Sequence, residues 1–451
     1  MFTTLDQAIR FIFHSKDRIK NAPRGLDEQV RDIAPTRNLL LTTGLLSTKR
    51  EYVVVTGSKG KGSISVMTAK ILQSLGHTVG LVTSPHLVYW TERIRVNGHA
   101  IAEADFIRIV NQLSPAIEAE EATLSLDKYI SPQGIFLLVA LQYFNEQGVT
   151  VGVMEVGRGG RYDDMSLVPN KVSLFGPIFL EHAQYLGDTV EQIAWHKAGI
   201  IKQGGFAYSV AQEPPVLSVL EREAVSKDCE FFWFSSLDRG EFLRETENGF
   251  VYQMGRYGEI ELPFFGRYQM DNAALAIQAA GNVHARLGGI SHNSQDYIDR
   301  VVAGLQRVKW HGRLQKLQDA PPIFVEGAIN PLSVASMLMS MKSRLVSPVI
   351  TIASVPQDRE MSAVYKLLAQ ESDMLILTEN NINPNIKFPP SDIALSLAQE
   401  FHKNVHYTPD LSSALELAKQ HAWANSTILL AVAQPLVGEA MLLWGIDPRE
   451  I

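Results

Sequence analysis

The sharpest chemical signal in the chain is the run Thr56-Gly57-Ser58-Lys59-Gly60-Lys61-Gly62-Ser63, set between an apolar Tyr-Val-Val-Val stretch and a helical pattern. A strand, a glycine-rich turn and a helix bring several backbone N–H groups to one point, at the positive end of a helix dipole. That is chemistry for a phosphate. Lys61 supplies a point charge for the terminal phosphates and Ser63 a hydroxyl near a metal. The spacing departs from a strict Walker A, because Val55 stands where the first Gly belongs and Gly62 separates Lys61 from Ser63. The plain alternative is a polar turn ahead of a helix.

Three further residues have types that could join such a site. Glu155 ends the apolar run Val-Gly-Val-Met-Glu and leads into Val156-Gly157-Arg158-Gly159-Gly160-Arg161. A carboxylate at the C-terminal edge of a parallel strand lies where α/β proteins bind ligands, and Mg²⁺ takes few protein oxygens beside waters and phosphates. A strand-end ion pair with an arginine explains Glu155 equally well. His182, in Leu180-Glu181-His182, is by itself a surface or core histidine. Lys197, in Trp195-His196-Lys197-Ala198-Gly199, by itself complements the C-terminus of a helix ending at Gly199.

Strands and helices alternate almost throughout, which predicts an α/β architecture with mainly parallel strands. An opening amphipathic helix (about 4–15) leads to a strand at Tyr52–Thr56, a helix near 63–75 and a strand at Val79–Val82. A hairpin over Glu92–Ile101 turns at Asn97-Gly98. Helices near 103–118 and 133–147 precede strands at Val151–Glu155 and Val172–Phe175. Asp228–Pro263, rich in β-branched and aromatic residues, reads as an antiparallel meander, with Phe231–Phe234 as a buried strand. Helices near 268–287 and 294–307 close this unit. Alternation restarts after Trp310-His311-Gly312-Arg313, with strands near Ile323–Val325, Val349–Ala353, Met374–Leu377, Val405–Tyr407 and Ile428–Val432, enough for a separate doubly wound domain. The expected division is 1–310 and 311–451.

Composition narrows the class. The chain has 451 residues, 46% hydrophobic and 20% charged, which is ordinary for a folded water-soluble protein. Its net charge of −7 argues against coating nucleic acid or anionic membranes through bulk charge. One cysteine, Cys229, excludes an intrachain disulfide and a cysteine-based zinc site. The opening residues MFTTLDQAIRFIFHSK lack a charged segment followed by a sustained apolar stretch, so they are not expected to act as a signal peptide, and no apolar run approaches the about 18 residues that span a bilayer. A cytoplasmic protein is expected.

Taken in order, the motifs resemble folylpolyglutamate synthase/dihydrofolate synthase of the Mur ligase family. They are the phosphate loop, Thr83-Ser84-Pro85-His86-Leu87, Glu92-Arg93-Ile94, Glu155 to Arg161, Leu186-Gly187-Asp188-Thr189 and Lys197-Ala198-Gly199-Ile200-Ile201. Gly266-Arg267-Tyr268-Gln269-Met270-Asp271-Asn272-Ala273 and Trp310-His311-Gly312-Arg313 continue the series. The resemblance implies a P-loop ATPase-type domain with a parallel sheet and small meander, followed by a smaller Rossmann-like domain, with the active site between them. It implies an ATP-dependent, ADP-forming ligase in which a carboxylate becomes an acyl phosphate and an amino-acid amine displaces phosphate. By resemblance Lys61 and Gly57 to Ser63 hold the phosphates, Ser84 and Glu155 one Mg²⁺, and His182 helps hold a second. Lys197 matches a carbamylated lysine, Asn272 and Arg313 match nucleotide contacts, and a monomer is expected.

The chain departs from that pattern in places. Lys59 replaces Asn, and Gln133-Gly134 replaces Phe-Glu. Asp-Gly-Ala-His-Asn-Pro becomes Glu326-Gly327-Ala328-Ile329-Asn330-Pro331, and Gly-Ser becomes Val432-Ala433 ahead of Leu436-Val437-Gly438-Glu439. Asp358-Arg359-Glu360 is a conservative change. Glu326 keeps a carboxylate that can reach a ribose or a metal-bound water. Ile329 removes a hydrogen-bond donor where acyl phosphate and amine meet. A folate-glutamate ligase, a divergent amide ligase with other substrates and a nucleotide-binding non-catalytic relative all remain compatible. The full set of Lys61, Glu155, His182 and Lys197 favours a ligase.

Overall fold

Tyr52-Val-Val-Val55 has no polar alternation, as a strand covered on both faces requires, and it forms the heart of a large sheet. In the computed structural model, which describes residues 1–19, 25–235, 238–327, 329–380 and 386–451, eight strands make this sheet. They are β1 (Glu51–Thr56), β2 (Val79–Val82), β3 (Ile94–Val96), β4 (His99–Ala100), β5 (Val151–Glu155), β6 (Val172–Phe175), β7 (Phe206–Ser209) and β8 (Glu230–Trp233). Their spatial order is β4-β3-β2-β5-β1-β6-β7-β8. The run from β2 to β8 is parallel, and the β3–β4 hairpin adds antiparallel strands at one edge. Asn97 (φ 51°) and Gly98 (φ 89°) make the hairpin turn, both left-handed as a two-residue connection demands.

Side chains alternate across the sheet. Tyr52 and Val54 face the core under the helices Glu103–Thr123 and Pro132–Glu146, and Val53 and Val55 face the core under Lys61–Ser74, Gln269–Arg286 and Gln295–Gln306. A small antiparallel sheet of β9 (Glu241–Glu245), β10 (Phe250–Gln253) and β11 (Glu259–Leu262) joins this second core through Phe250, Tyr252, Ile260 and Leu262.

The last sheet contains β12 (Gln315–Asp319), β13 (Pro322–Glu326), β14 (Ile350–Ser354), β15 (Met374–Thr378), β16 (Val405–Thr408) and β17 (Ile428–Val432), in the order β12-β13-β17-β14-β15-β16. All its pairings are parallel except β12–β13. The architecture is therefore the expected α/β one, a large mainly parallel sheet followed by a second, doubly wound sheet.

Two expectations are corrected. The segment 228–263 is not one meander, because Glu230–Trp233 follows the helix Pro214–Ser226 in a strand–helix–strand crossover and so pairs parallel with β7. Residues 236–237 of that segment lie outside the described residues. The aromatic run is not a buried strand either. It ends the large sheet as an edge, with Phe232 48% and Trp233 45% exposed. Aromatic side chains favoured the extended backbone, while position in the sheet decided burial.

Candidate active site at the facing edges of two sheets

The C-terminal ends of β1 and β5 lie side by side, with Val55 opposite Glu155. β1 runs into the glycine-rich loop, and the helix Lys61–Ser74 starts immediately after Gly60. The loop is tied down on several sides. The Thr56 hydroxyl donates to Gly159 O (2.6 Å), Ser58 N–H donates to Pro177 O (2.7 Å), and Lys61 Nζ donates to Gly57 O (2.9 Å). Gly60 has φ 79°, and a Cβ there would lie 2.7 Å from Asn272 Oδ1. No other residue fits that turn at such a close approach. Asn272 is buried on the helix Gln269–Arg286 and donates to Gln269 Oε1 (2.8 Å), whose amide nitrogen lies 3.4 Å from Ser63 Oγ. Ser63 and Asn272 thus share one polar chain behind the loop.

Glu155 is buried and accepts a hydrogen bond from Ser84 N–H (3.1 Å). Burial pushes its carboxyl up to about 7, against the opposing fields of Lys61, Arg313 and Arg93. A carboxylate kept in such a place, with cations close on two sides, is poised for a ligand.

Lys197 is buried on the helix Val190–Ala198, its Nζ 3.0 Å from Glu181 Oε1. Burial pulls its ammonium down to about 8, with Lys61 adding to the fall and Glu181 resisting it. Burial also works against the Glu181 charge, but Lys197, Lys61 and His182 outweigh it and hold that carboxyl below its ordinary range. His182 stands at the start of the short helix Ala183–Leu186 with Nε2 3.9 Å from Glu181 Oε2, and burial lowers its pKa so that a neutral, ligand-competent imidazole dominates near neutrality.

From the second sheet come Arg313, just ahead of β12, and Glu326, the last residue of β13. The Tyr268 hydroxyl, at the start of Gln269–Arg286, donates to Glu326 Oε2 (3.2 Å) across the cleft. Burial raises the Glu326 pKa while Arg313 and Lys59 oppose the rise. Ile329 is half-buried and packs on an apolar cluster that includes Leu87 from the first unit and Val437 from the second. Its neighbour Ala328 lies outside the described residues. Ala433 precedes the helix Gln434–Leu443, whose Gln434 donates to His86 O (2.9 Å).

The expected residues thus fall into three neighbouring groups. Ser84, Glu155 and Lys61 form one, His182 and Lys197 a second around Glu181, and Lys59, Arg313 and Glu326 a third around Tyr268. No hydrogen bond or ion pair joins His182 to Glu155 among the described residues. Glu181, Arg93 and Tyr268 were not foreseen as site residues, although each lies inside a motif quoted above and Glu181 directly precedes His182. A cavity of about 520 Å³ opens beside the helix Val190–Ala198, lined by Leu26, Glu28, Trp195, His196 and Arg222 among others, and contains none of the three groups. No described helix is long and apolar enough to cross a membrane.

A parallel sheet carrying a phosphate loop, faced by a second doubly wound sheet with charged residues at its edge, defines a two-part nucleotide-dependent ligase. The Mur ligase middle domain matches residues 55–280, and the Mur ligase glutamate ligase domain matches residues 312–433. The chain belongs to the Mur ligase family. A dihydrofolate synthase/folylpolyglutamate synthase of Bacillus subtilis is 30% identical over 392 residues, covering 83% of this chain and 86% of the relative. A folylpolyglutamate synthase of Lacticaseibacillus casei is 30% identical over 72% of this chain and 76% of its own length. The structure of Mycobacterium tuberculosis folylpolyglutamate synthase complexed with ADP superposes with a TM-score of 0.83 at 25% identity, covering 98% of this chain and all of that one.

Proposed function

We propose that the chain is an ATP-dependent, ADP-forming ligase that joins a carboxylate to an amine, and that a folate or pteroate with L-glutamate is its first candidate substrate pair. The observation that carries this reading is that the glycine-rich loop leaves β1 directly beside β5, whose buried last residue Glu155 accepts from Ser84 N–H (3.1 Å). The relatives named above are synthases of this kind, one of them in complex with ADP.

The residues present suit a magnesium nucleotide. Glu155 offers one hard oxygen and Ser63 and Ser84 add hydroxyls, while no group of three His, Cys, Asp or Glu forms a cage among the described residues. That is the sparse donor set Mg²⁺ takes when phosphates and water complete its shell. His182 would serve a second ion. ATP supplies the phosphoryl group. Lys61 and the loop N–H groups hold its phosphates, Asn272 fixes the loop through Gly60, and Arg313 and Glu326 meet the nucleotide from the other sheet. A substrate carboxylate oxygen bonds to the terminal phosphorus as ADP leaves. The amine nitrogen then bonds to the acyl carbon as phosphate leaves, giving the amide. Alignment and charge neutralisation are what these steps demand, and the site offers both.

Lys197 is read as the site of a carbamate: a buried amine whose proton is weakly held can add CO₂ and become an anion in a place that otherwise contains a cation. The functional division falls at 310/311, and the protein works as a cytoplasmic monomer. Ile329 favours a second reading, a ligase whose acyl or amine substrate is not the folate pair, since an apolar side chain occupies the place of a donor. The test is phosphate release with pteroate, folate and varied amino acids. Release that needs both a carboxylate and an amine supports the ligase, and steady hydrolysis of ATP independent of both would sink it.

A further inference from the structure

The cavity of about 520 Å³ lies against the backs of the elements that carry His182 and Lys197. Leu186 ends the short helix that His182 begins, and Trp195 and His196 directly precede Lys197; all three line the cavity. Leu186 Cδ2 and His196 Cβ lie 3.2 and 3.6 Å from where a Cβ on Gly159 would be, so this wall rests on the loop after β5. The His196 side chain is only 3% exposed, yet its ring makes no hydrogen bond among the described residues, and Glu28 Oε2, at 3.8 Å from Nε2, is beyond hydrogen-bond reach. A buried polar ring left without a partner on a cavity wall is costly unless something enters to meet it. Burial lowers its pKa against the pull of Asp27 and Glu28, so the ring is neutral near neutrality and has a lone pair to offer. Glu28 is held in place beside it, because the preceding Asp27 is buried and accepts from Arg158 Nε (3.1 Å).

The charges on the walls select the ligand. Glu28, Glu191 and Glu223 line the cavity against one guanidinium, that of Arg222. Glu223 is taken by Arg161 (2.7 Å), and Arg222 turns its Nε to Ser218 O on its own helix (3.1 Å). Glu28 and Glu191 have no lysine or arginine within 4.0 Å among the described residues. Such a field repels an anion and draws a cation. Leu26, Leu186 and Val219 add apolar surface, and the Trp195 indole, 37% exposed, adds an aromatic one. We propose that this cavity is a binding site, separate from the three groups of the cleft, for a flat aromatic cation with an amidine-like edge. The edge gives two parallel N–H bonds to the Glu28 carboxylate, the ring packs on Trp195, and His196 accepts a further N–H. The inference does not depend on the nucleotide reading, since it uses none of the residues assigned there.

The test is calorimetric titration of the full chain with three probes of nearly one shape: benzamidine, a cation, benzamide, which is neutral, and benzoate, an anion. Benzamidine should bind once per chain, benzamide at least about fivefold more weakly and benzoate most weakly of all. Glu28→Gln alters a side chain that is 40% exposed, so the fold should be kept, and benzamidine should weaken by about tenfold or more. His196→Phe keeps the aromatic wall and removes the acceptor, and should weaken it by about fivefold. Glu155→Gln, in the cleft, should change benzamidine affinity by less than about twofold. No saturable binding of benzamidine would overturn the proposal, as would benzoate binding as tightly as benzamidine. Unchanged affinity in Glu28→Gln would overturn it too, and a loss in Glu155→Gln would place the cation in the cleft instead.

Discussion

Among single residues, the least expected arrangement is the buried pair of Lys197 and Glu181. Their 3.0 Å contact is a plain ion pair, yet Lys197 has been pulled down to about 8 by burial, with Lys61 close by. An amine in that condition has an appreciable neutral fraction in weakly alkaline bicarbonate, and the neutral amine is the form that adds CO₂. Intact mass or a high-resolution map of protein equilibrated with bicarbonate should show one added CO₂ on Lys197. An unmodified ammonium at saturating bicarbonate would remove the carbamate from the account. Ile329 makes the second prediction at this scale. If the missing donor limits amide formation, Ile329→His should raise turnover of the folate pair by on the order of 10². No gain, or efficient turnover by the unaltered chain, would mean that another group already fills that role. Much of this was legible from residue type and spacing alone, since the phosphate loop, Ser84, Glu155 and Arg313 are all motif residues. The importance of Glu181 and Tyr268 was not, because it arises from partners 16 and 58 positions away along the chain.

At the scale of elements, the helices Lys61–Ser74 and Gln269–Arg286 matter most. One begins at the phosphate loop and the other carries Asn272 against it, and near their far ends His77 and His284 meet at 2.8 Å between Nε2 and Nδ1. Only one proton fits between those nitrogens. Burial, with His77, His292 and Arg300 nearby, lowers His284 to about 4, and burial also lowers His77. The sign follows from the folded state's resistance to protonation. Both histidines stabilise the fold fully above the unfolded value of about 6.5, and that contribution is lost as pH falls from there towards 4. Thermal stability should therefore drop across that window in the wild type and drop less in His284→Gln; equal slopes would show that the pair does not link the helices. Elements were legible where physics is local. The unbroken apolar runs of β1, β5 and β17 announce strands covered on both faces, and Asn97-Gly98 announces its turn. β12, reading Gln-Lys-Leu-Gln-Asp, was invisible because an edge strand needs no apolar pattern. β8 was misplaced because composition does not say which neighbour a strand will choose.

The whole molecule depends on how the two large sheets are joined. The chain ahead of β12 and the segment 447–451 both return to the β3–β4 hairpin. Arg95 is fully buried there, donates to Pro448 O (2.7 Å) and lies over Trp310 (5.8 Å). Ala100 N–H donates to Arg449 O (3.0 Å), Ile451 N–H donates to Gly98 O (3.2 Å), and His311 meets Glu450 O (3.1 Å). These contacts tie the second sheet to the first at a place that includes none of the nucleotide residues. Arg95→Met leaves buried acceptors without their donor, at a cost of about 1 to 3 kcal/mol. It should also split one calorimetric transition into two as the sheets melt apart. A single unshifted transition would mean that the cleft residues alone hold the two parts together. The central claim, however, concerns chemistry between those parts, and an isotope tests it most directly. With heavy-isotope oxygen in the carboxylate of the acyl substrate, an amine and ATP, the account predicts that one labelled oxygen appears in the released phosphate. Phosphate whose new oxygen comes only from water would contradict it.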